Sequence, residues 1–308
     1  MRLSGVYAIA PTPFTDDGRV DTGSLDRLIA YYEETGVTGL TILGQMGEAP
    51  KLESEESASI VARVLGRTRL PVVVGVSAPG FASMRRLTAA SMDAGAAGVM
   101  IAPPSTLRTD DQIVSYYKNA AAAIGESVPV VVQDYPLTFS VVMSPAVITR
   151  LVNEIPGIIA LKHEDWPGLE KISALRASER AGTMRPISIL CGNGGLFLDF
   201  ELERGADGAM TGYCYPELLV SLVNLSGRGA RDEAHDVFDA HLPLLRYEQQ
   251  PGLGLAVRKC VMKERGLITS DFQRSPAVPL SPAARAEVAF LRQRLEAAHG
   301  GAFVKVLQ

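Results

Sequence analysis

The chain has 308 residues, of which 47% are hydrophobic and 21% charged, with a formal net charge of −4. That balance is globular and the length allows one large core. No basic run marks a nucleic-acid partner, and no stretch reaches the roughly 18 apolar residues of a membrane span.

The first residues, Met1 to Val6, lack an apolar segment of signal-peptide length, so a cytoplasmic location is expected. Eight short, β-branched, non-alternating apolar runs then begin near residues 5, 39, 71, 98, 129, 157, 186 and 207. Such runs suit strands buried on both faces of a parallel sheet. Their spacing is close to the roughly 30 residues of a βα unit. Helical patterns fill the gaps. Residues 21–35 bring Leu25, Leu28, Ile29 and Tyr32 to one face, residues 53–66 do the same with Ala58, Val61, Ala62 and Leu65, and residues 109–124 carry Ile113, Tyr116, Tyr117 and Ala120. A short Gly-Ala/Val-X-Gly link recurs at Gly36, Gly95 and Gly205, as in repeated helix-to-strand turns. Eight alternations predict an α/β fold, a (β/α)8 barrel over residues 1–226. An open doubly wound sheet would want a glycine-rich phosphate turn after the first strand, where Pro11-Thr12-Pro13-Phe14 stands instead. Beyond residue 214, helices are predicted over 215–226, 229–247, 252–266 and 281–298. Residues 227–308 thus form a helical C-terminal extension packed on the barrel or on a partner subunit.

Barrel chemistry sits at the C-terminal ends of the strands. Of seven lysines, Lys162 alone ends an apolar strand, while Lys51 lies in a loop, Lys118, Lys171, Lys259 and Lys263 on helices and Lys305 in the tail. A lysine partly desolvated in a barrel mouth can react as the neutral amine. The other reading is an ion pair with Glu164 or Asp165. The turn Gly44-Gln45-Met46-Gly47 can aim backbone N–H groups at a carboxylate, or can be a tight turn only. Gly192-Asn193-Gly194-Gly195 fits a phosphate site equally well. His163, His235, His241 and His299 show no ligand spacing, so no metal is expected, although His163 beside Glu164 and Asp165 could be a site fragment. Cys191, Cys214 and Cys260 are too few and too far apart for a disulfide framework and are expected as buried thiols.

Ala10-Pro11-Thr12-Pro13-Phe14, Gly44-x-x-Gly47-Glu48, the lysine of the sixth strand and Gly208-Ala209-Met210-Thr211-Gly212 together resemble the dihydrodipicolinate synthase/N-acetylneuraminate lyase superfamily. The resemblance covers almost the whole chain. It implies a class I lyase in which Lys162 forms a Schiff base with pyruvate or another 2-keto acid. Beyond that covalent imine no cofactor is expected, and the subunits are expected to assemble as a dimer or tetramer. The chain departs from the family's synthases in several places. Gln45 and Met46 stand where they carry two threonines, Gln133 where they carry a proton-relaying tyrosine, and Leu137 and Thr138 follow Pro136 where they carry an arginine. The tyrosine that reaches into a neighbouring subunit is replaced near Pro104 or Ser105. Glutamine cannot shuttle a proton as a phenol does; Tyr135, two residues on, would have to substitute. Gln133-Asp134-x-Pro136 and Lys162-x-Glu164 resemble the L-2-keto-3-deoxyarabonate dehydratase branch instead.

The expected catalytic set is therefore Lys162, Glu164 and Gln133, with Gln45, Met46, Gly192 and Met210 contacting the substrate. Glu164 serves as base or acid if the strand continues past Lys162, since only then do residues i and i+2 share a face; otherwise it is a structural ion-pair partner. The expected reaction is dehydration or aldol cleavage of a 2-keto-3-deoxy sugar acid. The alternatives are condensation of pyruvate with aspartate semialdehyde, and keto-acid binding without catalysis.

Overall fold

A computed structural model describes residues 2–166 and 168–298. His299, Lys305 and the end of the predicted extension lie outside the described residues. Eight strands, β1 (Gly5–Ile9), β2 (Gly39–Ile42), β3 (Val72–Gly75), β4 (Gly98–Ile101), β5 (Val130–Asp134), β6 (Ile158–His163), β7 (Ser188–Cys191) and β8 (Gly208–Thr211), close in sequence order into a barrel. Every pairing is parallel, including β8 with β1. The helices between them are α1 (Thr22–Thr35), α2 (Ser54–Leu65), α3 (Phe81–Asp93), α4 (Asp110–Ile124), α5 (Pro136–Phe139), α6 (Pro145–Glu154), α7 (Leu169–Arg180) and α8 (Leu198–Glu203). Then follow α9 (Pro216–Gly227), α10 (Arg231–Glu248), α11 (Gly254–Glu264) and α12 (Pro282–Ala298).

The apolar runs form strands because both faces are buried. One face packs against the helices, the other fills the barrel. Inside, Tyr7, Val73, Val131, Ala160, Leu190 and Met210 make one packed layer. Burying an aliphatic side chain of this size contributes roughly 1.5–3 kcal/mol over exposure. The helix starts are chemically marked: Asp21 caps α1, and Thr109 with Gln112 closes a capping box on α4. Gly36, Gly95 and Gly205, the repeated punctuation of the sequence, all have positive φ.

Two strands run further than their apolar residues. β5 includes Gln133 and Asp134, and β6 includes Lys162 and His163, because the ladder continues as Gln133↔Lys162 and Asp134↔His163. The backbone N–H of Glu164 then donates to Asp134 O at 2.9 Å. The ladder, which hydropathy does not report, therefore puts Lys162 inside the strand.

The C-terminal helices belong to the same body as the barrel. On α11 the seven residues Ala256 to Met262 are all buried. Lys259, fully buried, reaches Glu48 at 2.6 Å, and Lys51 reaches the other oxygen of that carboxylate at 3.0 Å. The glutamate of the Gly44-x-x-Gly47-Glu48 turn thus anchors the extension to the barrel. Removing one partner of such a pair strands the other charge. Glu48→Ala is expected to cost about 3–5 kcal/mol in urea unfolding. A loss below about 1 kcal/mol would contradict this anchor.

Glu201 on α8 is a buried acid on the helix side of the barrel. Burial pushes its carboxyl up to about 7, against the opposing influence of His163 and a hydrogen bond with Cys191. Its folded pKa thus lies above the unfolded value, so this group holds more protons in the folded state. Stability attributable to it is present below about pH 4.5 and is lost as pH rises through about 7. Glu201→Gln should abolish that slope, gaining about 3 kcal/mol over the parent between pH 5 and pH 8.5. Parallel stability curves for the two proteins would contradict it.

All three cysteines are free and buried. Among the described residues no helix is long and apolar enough to cross a membrane. Among the same residues no group of three or more His, Cys, Asp or Glu is placed to hold a metal ion.

Candidate active site

Strand alternation builds the site one step above the packed interior layer. Two residues beyond Tyr7, Val131, Ala160, Leu190 and Met210 come Ile9, Gln133, Lys162, Gly192 and Gly212. A cavity of about 320 Å³ opens over this second layer, at the small end of the range for ligand pockets. Gln45, Met46, Gln133, Lys162 and Glu164 all line it.

Lys162 and Glu164 form a buried pair, Nζ to Oε2 at 3.0 Å, with side-chain exposures of 4% and 6%. Gln133 Nε2 donates to the same carboxylate oxygen at 2.8 Å. The condition set by the sequence is thereby met: the strand continues, and Glu164 returns to the cavity face. The ion-pair reading of Lys162 and its placement in the mouth hold together. A carboxylate in contact with an amine can accept its proton, which the amine must lose before attacking a carbonyl.

Two glycines create the room that this arrangement needs. A Cβ on Gly192 would stand 2.1 Å from Cγ of Glu164, and one on Gly212 would stand 2.2 Å from Nη1 of Arg258. Gly192 therefore serves the site by making space for Glu164. Arg258 comes from α11, where Nε donates to Glu248 Oε1 at 2.7 Å. Glu248 also accepts from the Cys214 N–H at 3.0 Å. The segment between α10 and α11 covers the mouth, with Gln249, Gln250 and Pro251 on the cavity wall. A Cβ on Gly194 would come within 2.1 Å of the Gln249 amide, so loop and cover fit closely.

Met210 does not join the site. It is fully buried in the interior layer with Leu190 and Ala160, one step below the cavity, because strand residues two apart stack in successive layers. His163 points the other way, between β6 and the helices, 3.8 Å from Asp134. It is no part of the cavity wall. Asp134 takes Lys171 at 2.6 Å, and Asp165 takes the same ammonium at 2.8 Å.

The two glycine-rich turns differ. Gln45–Gly47 is a single 3-10 turn, held from below by Thr12, whose hydroxyl donates to Gly47 O at 2.6 Å. Among the described residues the backbone N–H groups of Gln45 and Met46 meet no protein acceptor. The Gly192–Gly195 turn has three of its four N–H groups engaged within the protein, leaving that of Asn193 without a protein acceptor among the described residues. Gly192 N–H goes to His163 O, Gly194 N–H to the Thr211 hydroxyl and Gly195 N–H to Gly192 O, each at 2.8 Å. A phosphate cradle needs several such groups free, and this turn offers fewer than the Gln45–Gly47 turn.

Tyr135 also lines the cavity, followed by Leu137 and Thr138. Burial raises its phenol above the usual value, so the hydroxyl stays protonated at neutral pH. Arg258, Glu248 and the covering segment are not evident from the sequence pattern. The available signal is a pair of adjacent cations within the otherwise apolar run from Ala256 to Met262, which requires acidic partners.

The family model described as the dihydrodipicolinate synthetase family matches residues 2–294. The chain is 30% identical over 303 residues to the L-2-keto-3-deoxyarabonate dehydratase of Azospirillum brasilense, covering 96% of this chain and 95% of that one. It is also 30% identical over 306 residues to the 4-hydroxy-tetrahydrodipicolinate synthase of Sorangium cellulosum, covering 96% and 97%. Among solved structures, one described as dihydrodipicolinate synthase from Rhodopseudomonas palustris superposes with a TM-score of 0.93 at 60% identity, over 95% of this chain and 97% of that one. The closed barrel, the buried strand-six lysine and matches that run almost end to end agree: this chain belongs to the dihydrodipicolinate synthetase family, whose members are lyases of the class I aldolase type.

Proposed function

We propose that the protein dehydrates a 2-keto-3-deoxy sugar acid through an imine on Lys162. The observation that carries this reading is the buried trio of Lys162, Glu164 and Gln133 on one wall of the cavity. The open N–H groups of Gln45 and Met46 receive the substrate carboxylate. Lys162 gives its proton to Glu164 and attacks C2; Glu164 returns that proton to the departing C2 hydroxyl, so water leaves, the iminium forms and Glu164 is again a carboxylate. The iminium withdraws electrons from C3, and the Glu164 carboxylate removes a C3 proton to give the enamine. The enamine electrons expel the C4 hydroxyl, which takes the proton from Glu164 and departs as water. Hydrolysis of the remaining imine frees Lys162. Gln133 keeps the Glu164 carboxylate aimed throughout. Retaining the C4 hydroxyl and breaking C3–C4 instead would be aldol cleavage. The dehydratase named among the relatives supports the first course.

The test is product identity. With 2-keto-3-deoxypentonates of both C4 configurations, mass spectrometry should find a product lighter by one water. Pyruvate plus a two-carbon aldehyde would replace dehydration by aldol cleavage. A second reading, condensation of pyruvate with aspartate semialdehyde, is favoured by the Tyr135 phenol in the cavity and by the description of the 60% identical structure. Failure to consume aspartate semialdehyde would remove it. Turnover of any of these compounds would remove a purely binding role. Assembly as a dimer or tetramer belongs to the same proposal and rests on family habit.

A further inference from the structure

Arg258 is only 2% exposed, yet one of its nitrogens is idle. Nε and Nη2 both engage Glu248, at 2.7 and 2.6 Å, and Nη2 also donates to Gly212 O. Nη1 meets no acceptor among the described residues, although Arg258 lines the cavity. Buried donors are almost always satisfied, so an unmet one on a residue that lines a cavity points to an acceptor that arrives with a ligand. The backbone makes way for it: a Cβ on Gly212 would come within 2.2 Å of Nη1, and the φ of Gly212 lies outside the left-handed region.

We propose that Arg258 Nη1 binds the substrate, donating to a hydroxyl oxygen beyond C3, and so selects a 2-keto acid with an uncharged, hydroxylated tail. The proposal rests on the Schiff-base reading above. Gly212 follows β8 and Lys162 lies on β6, with β7 between them. A molecule joined to Lys162 through C2 must therefore extend past C3 to reach Nη1.

Charge decides the nature of that tail. Among the described residues the cavity wall carries two cations, Lys162 and Arg258, and two carboxylates, Glu164 and Glu248. Each cation already faces its carboxylate, at 3.0 and 2.6 Å. A second substrate carboxylate would be desolvated with no free cation to meet it. Thr138, Asn193, Thr211, Gln249 and Gln250 complete this part of the wall, and all are uncharged donors and acceptors suited to hydroxyls.

The experiment compares three compounds on the parent protein and on Arg258→Lys. They are pyruvate, a 2-keto-3-deoxypentonate and a 2-keto-3-deoxyaldarate carrying a second terminal carboxylate. Lysine keeps a cation for Glu248 but loses the planar fork. Gly212→Ala is the second variant, because it pushes Nη1 aside while Glu248 remains paired. Thermal melts establish that each is folded. Imine trapping of pyruvate, which ends at C3, is the internal reference. Relative to that reference, KM for the pentonate should rise about 10- to 100-fold in both variants, with kcat changed less. The parent should reject the aldarate. An unchanged KM ratio in the folded variants, or equal use of the aldarate by the parent, would overturn the role of Arg258. No pyruvate adduct on the parent would instead overturn the Schiff-base reading, and this inference with it.

Discussion

Lys162→Arg is expected to reduce turnover of any 2-keto-3-deoxy acid by about 10⁴-fold or more while leaving the protein folded. Arginine keeps a cation opposite Glu164, at the position where Nζ stands 3.0 Å from Oε2. It cannot lose its proton, so no nucleophile exists at that site. Removing a covalent nucleophile leaves only binding and orientation to act on the substrate, and losses of this size are usual for such changes. The measurement is a single-turnover assay with purified variant, alongside a thermal melt. Residual activity within about 100-fold of the parent would mean that Lys162 supplies charge and no covalent bond. The alternative readings separate here as well. A binding protein without catalysis has no turnover to lose, and a condensing synthase would lose its activity on pyruvate to the same degree.

Gly192→Ala is expected to lower kcat by about 10²- to 10³-fold with a smaller change in KM. The added methyl would overlap Cγ of Glu164 at 2.1 Å, and the carboxylate lies only 2.6 Å from the same point. Glu164 must swing away, breaking its contacts with Lys162 at 3.0 Å and Gln133 at 2.8 Å. The Gly192 φ of −107° lies outside the left-handed region, so the overlap with Glu164 is the effect to be read. The variant should therefore behave like Glu164→Gln, with the same change in the pH dependence of kcat. Its fold should lose about 1–3 kcal/mol from overpacking, which unfolding in urea reads separately. If Gly192→Ala stays within about threefold of the parent while Glu164→Gln fails, the carboxylate is not held by the space over Gly192.

Much of this arrangement is legible in the order of the amino acids alone. The eight strands announce themselves because residues buried on both faces leave continuous apolar runs such as Val72-Val73-Val74 and Gly157-Ile158-Ile159-Ala160-Leu161. Lys162 is conspicuous because it ends such a run. Its partners Gln133 and Glu164 follow from the strand-end rule, once β5 and β6 are known to run two residues further than their apolar stretches. Local pattern misleads at Met210, where a motif residue belongs to the packed layer beneath the site. It is silent about Arg258, which sits 46 residues from the Gly212 carbonyl it binds. No periodicity reports a contact of that range. A charged residue on a helix reads as solvated until a buried partner such as Glu248 is found. The same holds for Glu48, which reads only as the end of a family motif and proves to be the anchor for Lys259. The fold is therefore readable from burial periodicity. The closing of the site by α10 and α11 depends on tertiary pairing between distant charges.

Borohydride trapping tests the central claim most directly. The folded protein is incubated with pyruvate or with a 2-keto-3-deoxypentonate, reduced and digested, and the seven lysines are surveyed by mass spectrometry. A reduced adduct is expected on the peptide bearing Lys162 and on no other. An adduct carried by a different lysine, or none with any 2-keto acid, would contradict it.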